Sequence, residues 1–77
     1  MLNLYSIPSL CTILSKNLDR PTLFYTDRDN YRYNVNRFTS IGSRMGYKVK
    51  TQQVMIITDA DTIPSIAIKV TFSYKDN

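Results

Sequence analysis

The sequence predicts an α+β fold: two helices packed on a small antiparallel sheet with a C-terminal β-hairpin. Three observations carry that expectation. Tyr31, Val35, Phe38, Ile41 and Met45 recur at steps of four, three, three and four, which places them on one helix face. Ile66, Ile68, Val70, Phe72 and Tyr74 alternate with Ala67, Lys69, Thr71, Ser73 and Lys75, the period of a strand. Between these segments the period changes at Gly46, where a helix end favours a left-handed residue.

Leu2 and Leu4 open the chain as a short strand or an apolar lead-in. Pro8 suits the first turn of a helix, where its missing N–H costs nothing. Ile7, Leu10, Leu14 and Leu18 follow at helical spacing, so a first helix is expected from Pro8 to about Asn17. Pro21 lies beyond it, because proline disfavours helix at the residue before it. Leu23 to Thr26 reads as a short strand or an ordered loop. Asp27 or Asp29 is the expected cap of the second helix. Gly42 lies on that helix's apolar stripe, where it lowers helix propensity but admits a close neighbour. Tyr47 to Thr51 alternates apolar and basic, and Val54 to Ile57 is continuously apolar, so a bulge or two-sided burial is expected near Gln52 and Gln53. Thr58 to Thr62 has the composition of a turn. A hairpin from about Tyr47 to Tyr74 completes a single domain spanning residues 1–77.

Size and composition exclude several chemistries. At 77 residues, folding hides about 63% of the unfolded surface, enough for a core but not for a deep active-site cavity. The chain has no His, Trp or Glu and a single cysteine, Cys11. That removes the Ser-His-Asp and Cys-His nucleophile systems, a Cys/His zinc site and an internal disulfide. Cys11 sits beside an apolar stripe with no basic neighbour nearer in sequence than Lys16, so a buried small hydrophobe is expected. Asp59 and Asp61 have neither the glycine nor the Glu of a calcium loop, and a polar hairpin tip is the expectation. No enzyme, cofactor or metal site is expected. The N-terminal residues lack the basic start and apolar run of a signal peptide, and no stretch approaches the ~18 apolar residues that span a bilayer. A cytoplasmic location without membrane association is expected.

The net charge of +4 is unevenly placed. Between Arg28 and Lys50, six cations stand against Asp29 alone. Such a focus favours an anionic partner. The candidate partner-binding residues are Arg28, Arg32, Tyr33, Arg37, Arg44, Lys48 and Lys50. On a helical wheel Tyr33, Arg37 and Arg44 share one flank, and Arg28 and Arg32 lie one turn apart on the other. Arginine suits bidentate phosphate contact, lysine supplies a mobile point charge, and an exposed tyrosine stacks on bases. An acidic protein surface and nucleic acid both remain open as the partner. The expectation common to both is that the six cations form one outward patch once the chain folds.

Arg44-Met45-Gly46-Tyr47-Lys48-Val49-Lys50-Thr51 ends a helix in Arg-x-Gly and opens a hairpin with Lys-Val-Lys-Thr. Over about residues 29–57 this pattern resembles small accessory proteins of tailed bacteriophages. The resemblance implies a viral protein in a bacterial host cytoplasm, where it binds and modulates a host protein, as an inhibitor does, or binds nucleic acid. It supplies no catalytic residue. Some such proteins inhibit host enzymes by mimicking DNA, and the positive charge here has the wrong sign for that.

The hairpin admits a further role. Its last strand lies near the C-terminus and is expected at a sheet edge, where it could pair with another chain as a structural module or homodimer.

Overall fold

The computed structural model describes residues 6–55 and 66–75. Two helices and three strands follow in the order α1 (Ile7–Lys16), β1 (Thr22–Thr26), α2 (Tyr31–Arg44), β2 (Tyr47–Met55) and β3 (Ile66–Tyr74). The expected α+β class and C-terminal hairpin are both present. Leu2, Leu4, the Thr58–Thr62 turn and its Asp59 and Asp61 lie outside the described residues.

Helix α1 begins where the sequence supplies a cap. The Ser6 hydroxyl accepts from the Ser9 N–H at 3.3 Å, and Pro8 occupies the first turn. Ile7, Leu10, Cys11 and Leu14 form its buried face. The helix closes as the Asn17 side-chain amide donates to the Ile13 carbonyl at 2.9 Å. Asp19 then turns the chain with φ 67°, a left-handed conformation that aspartate tolerates better than most residues. Its N–H donates to the Phe72 carbonyl at 2.8 Å, fastening the turn to β3.

Helix α2 starts differently from expectation. Neither Asp27 nor Asp29 occupies the cap position. Asn30 does, without a side-chain capping bond. Asp27 acts one step earlier: its Oδ1 accepts from the Asn30 N–H at 2.8 Å and orders the preceding turn. Gly46, with φ 95°, ends the helix as the sequence implies.

The sheet order is β1-β3-β2, all antiparallel. This overturns the expectation that the last strand forms an edge. β3 is central because its inward face, Ile66, Ile68, Val70 and Phe72, is wholly buried and so gains from a strand on each side; among the described strands, β1 and β2 are the edges. The β2–β3 register runs unbroken from Tyr47 opposite Tyr74 to Met55 opposite Ile66, so no bulge interrupts Gln52 and Gln53. Both glutamines are solvent-exposed, and a continuous ladder meets the backbone's hydrogen-bonding needs without one.

Both helices lie on one side of the sheet. Ile66, Ile68, Val70 and Phe72 of β3 point towards them and are buried with Phe24, Phe38, Leu10 and Leu14. Phe24 and Phe38 meet edge to face, with ring centroids 5.2 Å apart. Gly42 brings α2 onto β2: a Cβ there would overlap Val49 Cγ2 and lie 2.8 Å from Phe72 Cζ. Thr26, the polar residue in this core, is satisfied: its hydroxyl accepts from the Asn34 side-chain amide at 2.9 Å and donates to the Asp27 carbonyl at 3.2 Å. Among the described residues, no helix lies on the other sheet face. Among the described residues, no helix is long and apolar enough to cross a membrane.

Candidate functional site: the sheet face opposite the helices

Strand alternation decides where the central cations go. Val49 faces Gly42 of α2, so its neighbours Lys48 and Lys50 project from the opposite face. Arg32, Tyr33, Arg37 and Arg44 belong to α2, whose inward side is set by the buried Phe38 and Gly42. Arg32, Tyr33 and Arg44 are exposed, and Arg37 is half-buried. These residues therefore lie on the helical side of the molecule. Arg32 sits in the first turn of α2 and Arg44 in its last, about 18 Å apart by the helix rise. The six cations do not form one patch. A run of charge that crosses a helix–strand junction is divided by the layer structure.

The helical side keeps one compact group. The Arg37 guanidinium lies 6.0 Å from the centroid of the Tyr33 ring, a cation–π pair across one helical turn. Arg44 shares their flank by helical spacing, whereas Arg32 falls on the other flank. Tyr33 is 61% exposed, so its ring is available to a partner.

The sheet face opposite the helices gathers a different set. Register places Lys50 opposite Thr71, and Gln52 opposite Lys69. Residues opposite one another point to the same face, so two lysines, a hydroxyl and an amide form a square. With Pro21 they line a depression of about 190 Å³. One step along the hairpin, Lys48 and Ser73 line a second depression of about 320 Å³ with Asp19 and Tyr74. The Asp19 carboxylate weakens the positive field there, which makes the Lys50–Lys69 square the stronger anion site. Leu23 and Tyr25 of β1, with Val54 of β2, continue this face beside Lys69 and the buried Ala67.

Lys48 also reaches round the free edge of β2. There it borders a groove of about 410 Å³ with Thr39, Ser43, Tyr47, Val49 and Lys75.

Lys69, Thr71 and Gln52 are site residues beyond those expected from charge density. The signal for Lys69 and Thr71 lay in the alternation of β3, which marks both as outward-facing. Cys11 is fully buried, as its apolar neighbours imply. Burial pushes its thiol up to about 11, against a small opposing pull from Arg37. That thiol is inert at neutral pH. Among the described residues, no group of three Cys or Asp side chains is arranged to hold a metal ion. Comparison with protein-family models, curated proteins and solved structures gives no match to this chain.

Proposed function

We propose that this protein is a non-enzymatic binding module, of the phage-accessory type, which holds single-stranded nucleic acid on the sheet face opposite its helices. The observation that carries the reading is the Lys50, Gln52, Lys69 and Thr71 square, continued by Lys48 and Ser73 on the sheet face opposite α1 and α2. Lys48 and Lys50 are two residues apart on one strand, about 6.7 Å by the strand rise. That step is similar to the separation of successive phosphates in an extended single strand. Each ammonium can meet one phosphate, while Thr71, Ser73 and Gln52 offer hydrogen bonds to phosphate or sugar oxygens. Leu23, exposed and opposite Lys69, lies beside the lysines, where an unstacked base would rest.

A sheet face suits this ligand, because an extended strand can lie along it with its phosphates over the lysines. The test is fluorescence anisotropy with labelled single-stranded DNA and RNA across a salt series. Binding that weakens steeply with salt, and is lost in a Lys50→Glu/Lys69→Glu variant of unchanged circular dichroism, supports the assignment. Equal binding by that variant rejects it.

The Tyr33–Arg37 pair favours a second reading on the other side of the molecule. Tyrosine and arginine dominate the energetics of protein interfaces, and here they are already stacked on one another. An acidic surface of a host protein fits that site. Arg37→Glu/Arg44→Glu would then abolish capture of the host protein and leave nucleic-acid binding intact.

A further inference from the structure

The two edges of the sheet differ. β1 has five residues and follows Pro21, which cannot donate to a ladder. β2 has nine residues with no proline, glycine or acidic side chain. Towards the groove beside its free edge, α2 presents the short side chains of Thr39 and Ser43. Among the described residues no strand pairs with the far side of β2, and an open nine-residue backbone is a template for another strand.

We infer that the occupant of this edge is a second copy of the chain, paired antiparallel through β2 about a two-fold axis at Thr51. Face matching limits the registers. In β2 the odd-numbered residues face the helices and the even-numbered residues face away, so a symmetric pairing must be centred on a residue. Centring on Lys50 opposes it to its own copy, and centring on Val49 opposes Lys48 to Lys50; like charges directly opposite are unfavourable. Centring on Thr51 sets Lys50 against Gln52 and Lys48 against Val54, and it pairs all nine residues. It also sets Tyr47 against Met55, which is 54% exposed in the monomer and gains an aromatic neighbour. The product is a continuous six-stranded sheet with all helices on one side. The lysine face then runs unbroken across both copies, although the pairing does not depend on what that face binds.

Sedimentation velocity over a concentration series up to about 1 mM tests association. Two conservative surface changes test its register. Gln52→Lys puts lysines opposite one another across the axis and weakens the dimer at least several-fold, and Gln52→Glu strengthens it by a similar factor. Thr51→Cys meets its own copy within disulfide reach and oxidises to a covalent dimer. Gln53→Cys lies opposite Val49 and does not. A protein that stays monomeric throughout overturns the inference. So does a dimer in which Gln53→Cys cross-links as fast as Thr51→Cys.

Discussion

Gly42 and Val49 approach so closely that position 42 has no room for a side chain. An added Cβ would overlap Val49 Cγ2 and crowd the Phe72 ring, which is itself fully buried. Helix propensity alone favours Gly42→Ala by about 1 kcal/mol. Overpacking costs about 1–3 kcal/mol, and here neither the β-branched Val49 nor Phe72 can yield freely. Gly42→Ala should therefore lower stability in urea titration. Adding Val49→Ala should cost less in the Gly42→Ala background than in the wild type, because the valine methyl is what the new Cβ meets.

Gly46 makes the opposite case. No atom lies within 4 Å of the Cβ it lacks, but its φ is 95°. Gly46→Ala should cost about 1–2 kcal/mol through backbone strain alone. Trimming Val49 should leave that loss unchanged.

The Thr26–Asn34 hydrogen bond joins the end of β1 to the first turns of α2 at the edge of the core. Thr26→Val and Asn34→Ala should each cost about 1–2 kcal/mol. Because each removes the same bond, the double variant should lose less than the two losses combined, by about 1 kcal/mol. Strict additivity in chemical denaturation would show that the bond contributes nothing.

Cys11 gives the fold a defined alkaline sensitivity. Burial favours the neutral thiol and raises its pKa from 9.0 to about 11. The unfolded chain therefore releases this proton at lower pH than the folded one. The stabilisation is complete below about pH 9 and is lost as pH rises towards 11, by on the order of 2 kcal/mol. Cys11→Ala should flatten the fall in stability over that interval. In the wild type at pH 8, a thiol reagent should react only through opened molecules, its rate reaching the rate of unfolding as the reagent concentration becomes saturating.

Salt dependence distinguishes the two charged surfaces. A lysine that contacts a phosphate of a single strand contributes about 0.7 to the slope of log K against log salt. Lys50→Ala and Lys69→Ala should each reduce the slope by about that amount. Arg44→Ala, on the helical side, should leave it unchanged.

Element identity was legible because apolar period and chain punctuation agree. The stripe from Tyr31 to Met45, the left-handed Gly46 and the alternation of β3 each specify local structure without help from the rest of the chain. Strand order was not legible in the same way. The alternation in β3 shows one apolar and one polar face, but it does not reveal that both lateral edges are occupied. Asp27 illustrates another limit: its carboxylate orders the turn before α2, a choice between two neighbouring sets of N–H groups that composition leaves open.

The charge distribution was legible as a segment and illegible as a surface. Val49 held the information that divides it. Once that side chain is assigned to the helix side, Lys48 and Lys50 must face away. Lys69 is distant in sequence from the basic segment and joins Lys50 only through the register of the hairpin.

The central position of β3 bears on how the chain is made. β1 and β2 never pair with each other; each needs the strand that follows all the others. During synthesis the helices can form early, but neither of the two described ladders can close until β3 has emerged from the ribosome. Until then β1 and β2 lack the strand they pair with, and that interval is when this protein most needs protection from its neighbours.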